Sequence, residues 1–282
     1  MRSIEERVRR TVNKHKLFEP RDSILMAISG GKDSQVLATL LTKMEKHFPE
    51  AELMALIVDE GIPGYREFGL KRCRELCFEL GVELVEASFK ELFGYSLPEI
   101  VDRSCKEGLE LKACTFCGIL RRRAINVKAK ELNATKVATG HNLDDEAQTA
   151  LMNLLRGDAF RLLRLSAKPL EEYPGFIPRV KPLRYIPEKE VTLYAYLKGY
   201  PLYEAECPYV RYSMRDELRF ILNEVEERHP GTKYSIVKAT DKLAAIGANF
   251  KFNIKTCKHC GEPTSRDICR ACELLELMGV SR

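Results

Sequence analysis

No stretch of this 282-residue chain approaches the roughly 20 consecutive apolar residues that a membrane helix requires, which excludes a helical membrane protein. A secretory leader, internal repeats and low-complexity tracts are missing as well, which points away from secreted scaffolds, solenoids and disordered linkers. A large excess of either charge is missing too: the net balance is only +5, a hint of a polyanionic partner and no more. What the chain does have is cysteine. Ten of them without a leader argue for metal ligation or catalysis in a reducing, cytoplasmic setting rather than for disulfides.

Short apolar runs at 23–29, 52–59, 83–87 and 136–139 read as strands, with helical periodicity at 4–15, 33–47, 65–80, 116–132 and 144–155. This alternation predicts an α/β fold, a parallel sheet with helices on both faces that binds ligands at the strand carboxyl ends. Pro169, Pro174, Pro178, Pro182 and Pro187 then predict a loop with one extended piece at 177–181. Helical patterns resume at 188–198, 215–228 and 234–250, and a cysteine-rich tail begins at 256. The expected organisation is an N-terminal helix (1–22), an α/β domain (23–186), a helical extension (187–255) and a small C-terminal module (256–282).

The first strand runs into Ser29-Gly30-Gly31-Lys32-Asp33-Ser34, and the chain then opens a helix. Adjacent glycines let backbone N–H groups approach a polyphosphate, the helix N-terminus adds positive partial charge, and Ser29, Lys32 and Ser34 add donors. The spacing is not that of the longer Gly-x4-Gly-Lys-Ser/Thr loop. It resembles the pyrophosphate loop (PP-loop) of the N-type ATP pyrophosphatases, which adenylate a substrate and release pyrophosphate. A second strand-to-helix junction reads Thr139-Gly140-His141-Asn142-Leu143-Asp144-Asp145. Asp144 and Asp145 are hard oxygen ligands suited to magnesium, or else caps of the helix that follows. Beside the first loop, magnesium is the reading adopted. Asp59, ending the second strand, is expected beside adenine and ribose.

Cys257-Lys-His-Cys260 and Cys269-Arg-Ala-Cys272 have the two-knuckle spacing of a structural zinc ribbon, with His259 outside the ligand set. Cys114-Thr-Phe-Cys117 is expected just before or at a helix N-terminus, one turn ahead of Arg121, Arg122 and Arg123, where thiol pKa should fall. Two thiolates do not close a metal site. Cys207, fixed by Pro208, is the expected third ligand, with Cys105 the alternative on spacing alone. Three cysteines on a cubane cluster leave one iron open for sulfide or substrate; a redox pair or inert packing is the other reading. Cys73 and Cys77, four apart on a helix, read as core. Basic residues cluster over Arg121, Arg122, Arg123, Lys128 and Lys130, and again over Arg156, Arg161, Arg164, Lys168, Arg179, Lys181 and Arg184, a surface suited to RNA phosphates.

Ser29–Ser34, Cys114 with Cys117, Gly140–Asp145, Cys207-Pro208 and the terminal ribbon together resemble the tRNA thiolation enzymes, the 2-thiouridine synthetases. Cys114-Thr-Phe-Cys117-Gly followed by arginine is most like the archaeal and eukaryal cytoplasmic wobble-uridine thiolases. The resemblance implies ATP held by Ala27, Ser29, Gly30, Gly31, Lys32, Asp33, Ser34, Asp59, Gly140, Asp144 and Asp145, with magnesium near Asp145. It implies a 4Fe-4S cluster on Cys114, Cys117 and Cys207, zinc on Cys257, Cys260, Cys269 and Cys272, and catalytic duties for the first three cysteines, Asp145 and Lys32. The implied reaction adenylates the uracil C2 oxygen; sulfur then attacks C2 and AMP leaves, a persulfide on one cysteine being the older alternative. Implied partners are tRNA, a ubiquitin-like sulfur carrier or inorganic sulfide as donor, and a second copy in a homodimer, with no membrane.

Two features depart from the family. Its members carry a further Cys/His finger before the first helix, and none precedes Ile4 here. The T-loop type often has Lys where Arg121 stands, and a guanidinium cannot accept a proton, so no base is implied there. T-loop uridine thiolation and 2-thiocytidine synthesis are the rival enzymatic readings, and an RNA-binding zinc protein with a vestigial nucleotide fold the non-enzymatic one. Replacing Cys272 is expected to unsettle the tail and spare the mid-chain cysteines.

Overall fold

The computed structural model describes residues 2–45, 50–109, 111–169, 175–202, 207–209, 214–247 and 254–279. In strand β1 (Ser23–Ile28) the side chains alternate between two cores: Ile24, Met26 and Ile28 join one, Leu25 the other, and all four are buried. A strand buried on both sides requires helices on both faces of its sheet. β1 is central, between β2 (Glu52–Asp59) and β4 (Lys136–Thr139), with β3 (Glu83–Ser88) and β5 (Arg179–Val180) at the edges. All pairings are parallel. The order β3-β2-β1-β4-β5 makes the chain reverse direction across the sheet between β1 and β4. In such folds the crevice for ligands opens there, at the strand carboxyl ends.

One face carries α1 (Arg2–His15), α2 (Lys32–Glu45), α3 (Arg66–Leu80) and α9 (Glu188–Leu197), which bury Val8, Leu37, Leu40, Leu76, Val191 and Tyr194 against the sheet. Gly81 ends α3 in the left-handed region, at φ 69°, where its N–H reaches the Cys77 carbonyl. The other face carries α4 (Phe89–Phe93), α5 (Leu97–Lys106), α6 (Ala113–Glu131) and α12 (Arg270–Leu277), with Phe89, Ile100, Phe116, Leu120 and Leu274 inside. A smaller cluster of Leu143, Ala147, Leu222 and Val237 joins α7 (Leu143–Leu155), α10 (Met214–Arg228) and α11 (Thr232–Gly247).

The expected extended piece at 177–181 is the fifth parallel strand, short because only Arg179 and Val180 enter the ladder. The stretch read as loop also holds a short helix, α8 (Ala159–Leu163), whose start Asp158 caps by accepting the Arg161 N–H at 3.0 Å. Residues 46–47 and 248–250 of two expected helices, and Pro174, lie outside the described residues. The cysteine-rich tail forms a small hairpin, β6 (Lys255–Thr256) with β7 (Pro263–Thr264), and α12. Its apolar face is continuous with the second core rather than separate from it: Ala271, Leu274, Leu275 and Met278 pack with residues of α6.

Candidate functional site

The loops after β1 and β4 touch. A Cβ on Gly140 would come within 3.2 Å of the Asp33 carbonyl, and one on Gly30, at φ 83°, within 2.7 Å of the Gly69 backbone. Only glycine permits the approach at Gly30, and a side chain at Gly140 would press the loops apart by a few tenths of an ångström. Asn142 ties the loops together: its Nδ2 donates to Asp33 at 2.8 Å, and its Oδ1 accepts the Asp145 N–H at 3.0 Å in a capping box. Between the loops lies a cleft of about 270 Å³, near the lower end of small-molecule sites. Ala27, Ser29, Asp33, Ser34, Gly140 and Asp145 line it, as do Thr139, His141, Arg66 and Arg121.

The neighbouring carboxylates of the second loop part company. Asp145 faces the cleft, where burial raises its pKa to about 6; Arg215, 3.3 Å away, and the Asn142 N–H oppose the rise, and Asp33 adds to it. Asp144 corrects the expectation of a paired magnesium site. It is buried, ion-paired to Lys233, and accepts the Glu188 N–H at 2.8 Å, so it locks α7 to α11 and α9. Lys32 is likewise not on the cleft wall: its ammonium lies 2.7 Å from Glu188 and 3.1 Å from Asp33. Burial opposes its charge, but the two carboxylates outweigh that and raise its pKa. Asp59 is not part of the lining; it accepts the Gly61 N–H at 2.7 Å and closes a turn.

The first turns of α6 carry Cys114 and Cys117 on one face, because the helix starts at Ala113 rather than at 116. Cys207 is brought within electrostatic reach of both thiols, and the Tyr209 carbonyl accepts from Cys114 Sγ at 3.3 Å. No such coupling to the pair is seen for Cys105, which is exposed on α5. Arg121 Nη2 donates to Cys117 Sγ at 3.2 Å while its Nε donates to Glu60 at 2.6 Å. The expected fall in thiol pKa is corrected. Burial pushes Cys117 up to about 11 and raises Cys114, overriding the helix N-terminus and Arg121. The donor set suits a cluster: three soft sulfurs, with Cys117 and Cys207 half-buried beside the second core and Cys114 exposed.

The four tail thiols converge, with Cys257, Cys260, Cys269 and Cys272 all within 4.8 Å of one another. Burial opposes ionisation of Cys257, but N–H groups of Cys269, Cys260 and His259 bring its pKa down to about 6. Four closely set thiols with His259 exposed fit a tetrahedral zinc site. The tail also holds Glu262, buried and paired with Arg123 at 3.1 Å and Lys130 at 2.5 Å of α6.

The basic clusters therefore divide. Arg123 and Lys130 clamp the tail, and Arg184 is buried against Glu146 and Asp241. Arg122, Arg179, Lys181 and Arg215 lie close enough to His141 that, after desolvation, their charges lower its pKa further, although Lys181 is itself paired with Glu146 at 2.7 Å and Arg215 with Asp145 at 3.3 Å. Burial and neighbouring cations also pull Lys181 down to about 8 and Arg179 down to about 10. An anion bound beside these cations would lessen that cost. Sequence reasoning missed Glu60, Arg66 and Arg215; Arg215 entered it only as the first residue of the expected helix at 215–228.

Two strand-ending loops meeting at the switch point of a parallel sheet, with glycines where the backbone must approach a ligand, define a nucleotide-binding α/β protein of the PP-loop class. A family model for this class, ATP_bind_3, described as a PP-loop domain, matches residues 1–225. The tRNA 2-thiolation protein NcsA of Haloferax volcanii is 38% identical over 97% of this chain and 90% of its own length. The cytoplasmic tRNA 2-thiolation protein 1 of Xenopus laevis is 38% identical over 97% and 79%. A solved structure of the U34-tRNA thiolase NcsA from Methanococcus maripaludis with its [4Fe-4S] cluster superposes with a TM-score of 0.86 at 35% identity, covering 100% of this chain and 89% of that one. The chain belongs to the PP-loop family and, within it, to the tRNA 2-thiolation proteins.

Proposed function

We propose that the protein is an ATP-dependent tRNA sulfurtransferase of the cytoplasm that converts the wobble uridine to 2-thiouridine. The observation that carries this reading is the juxtaposition at one sheet edge: the cleft between the two loops is lined by Arg121, and the same guanidinium donates to Cys117. ATP enters with its phosphates against the N–H groups of Gly30 and Gly31 and the start of α2. Asp33 and Asp145, both on the cleft wall, would hold a magnesium ion that draws charge from the phosphates. The uracil O2 displaces pyrophosphate at the α-phosphorus; sulfur at the sulfide level then forms the C2–S bond, and the C2–O bond breaks to release AMP. No net oxidation or reduction occurs.

A [4Fe-4S] cluster on Cys114, Cys117 and Cys207 would supply one iron without a cysteine, an open position for sulfur. Zinc on the four tail cysteines would be structural. The cations about His141, namely Arg122, Arg179, Lys181 and Arg215, receive the tRNA backbone beside the cleft. A ubiquitin-like thiocarboxylate or free sulfide fits as donor, since both deliver sulfur already reduced, and a homodimer is the assembly we expect. Incubation of the protein with unmodified tRNA, ATP and sulfide, followed by nucleoside mass spectrometry and nuclease mapping, tests the reading. 2-Thiouridine at the wobble position is the expected product. Thiocytidine, or a thiouridine in the T-loop, would replace it with a rival enzyme, and no thionucleoside at all would leave only RNA binding.

A further inference from the structure

The nucleotide loops leave one conspicuous carboxylate unexplained. Glu60, just past β2, is fully buried, yet two arginines converge on it: Arg121 Nε at 2.6 Å on one oxygen and Arg66 Nε at 3.0 Å from the other. Arg66 lies under the first loop, with Nη1 donating to the Ser29 carbonyl at 3.4 Å and Nε to the Val58 carbonyl at 2.9 Å. Arg121 reaches the other way, to Cys117 Sγ at 3.2 Å. Both guanidinium groups line the cleft. Two cations at one wall repel each other unless an anion stands between them, and a buried carboxylate is costly unless it is paired. Each half of the arrangement stabilises the other.

We infer that Glu60 is a positioning residue: it orients Arg121 beside Arg66, itself held by the Val58 and Ser29 carbonyls, as a cationic wall for the phosphates of the bound nucleotide, between the loops and the thiols. It acts through the Arg121 guanidinium, and the inference rests on the nucleotide reading above. Orientation and simple charge give opposite signs for Glu60→Gln. Removing an anion near the cleft strengthens polyanion binding if only the field matters. Freeing the Arg121 fork weakens it if placement matters, since Arg66 stays held by the Val58 and Ser29 carbonyls.

The test is calorimetric titration of the full chain with α,β-methylene-ATP and magnesium. Glu60→Gln should weaken binding about tenfold, the scale of one lost charge-assisted contact, and Arg121→Met similarly. The double variant should bind no more weakly than Glu60→Gln alone, and Glu60→Asp, which keeps the charge, should recover part of the loss. Unchanged or tighter binding in Glu60→Gln, or losses that multiply in the double variant, would overturn the inference. Should Glu60→Gln fail to fold, Arg121→Lys decides: it keeps the charge without the fork, so it should bind as weakly as Arg121→Met, and wild-type affinity would refute the positioning role. A wild-type chain that does not bind the analogue sinks the nucleotide reading and this inference with it; a wild-type chain that binds while Glu60→Gln is unaffected sinks the inference alone.

Discussion

The two cysteine sites stand on opposite ends of one helix environment and are built to opposite rules. In the tail, four thiols from two short knuckles lie within 4.8 Å of one another, and the elements around them are a two-residue hairpin and one short helix. In mid-chain, Cys114 and Cys117 come from α6 and Cys207 from a segment about 90 residues later, and a cation, Arg121, reaches in from the nucleotide cleft. A closed set of ligands satisfies its metal and offers nothing to a substrate; an incomplete set, joined to a cleft, keeps a position for chemistry. The difference between holding and reacting is thus a matter of donor count and of what borders the donors.

The contrast breaks first at the mid-chain site. Cys114→Ala should lower thiolation by ~100-fold or more, with loss of iron and cluster absorbance but full zinc content by elemental analysis. Cys207→Ala should do the same, and a full cluster in that variant would remove the third-ligand assignment. The tail variant Cys272→Ser should release zinc and cost about 3 kcal/mol, read as a fall in Tm. Here the structure changes the expectation drawn from sequence. Because α12 and Glu262 pack on α6, the loss should also lower iron retention, and iron content unchanged at full zinc loss would separate the sites again.

The same contrast of closed and open is repeated in one motif. Asp144→Asn leaves Lys233 buried without its partner and should cost about 3 kcal/mol of stability, by denaturant unfolding. Asp145→Asn should instead weaken magnesium-nucleotide binding about tenfold at little cost in stability. The smallest effect is a pH dependence. Burial raises the Asp145 pKa to about 6 from 3.8, so its ionised form disfavours the fold at neutral pH and the penalty is relieved as pH falls through 6. Asp145→Asn should therefore be slightly more stable than wild type at pH 7, with the gain fading below pH 6 and gone below pH 4.

Much of the sheet was legible because strands buried on both faces are written as uninterrupted apolar runs, and the two loops because glycines and strand-to-helix junctions are local features. β5 was visible only as an extended piece, since two residues carry no periodicity, and α8 was hidden among prolines. Asp144 and Asp145 are indistinguishable as adjacent acids; only the partner Lys233, 89 residues away, separates them. Lys32 was read as a phosphate ligand from its loop, while its ion pair with Glu188 depends on where α9 packs. Glu60 and Arg66 left no pattern at all, because a buried carboxylate is paired there with a cation of α6, 61 residues further on, as well as with one nearby.

The central claim is that nucleotide and thiols serve one reaction at the uracil C2 oxygen. It is tested most directly by giving the reconstituted protein tRNA carrying oxygen-18 at uracil O2, with ATP and sulfide, and weighing the AMP released. The account predicts one labelled oxygen in AMP for each 2-thiouridine formed. Unlabelled AMP, or thiouridine formed without AMP, would contradict it.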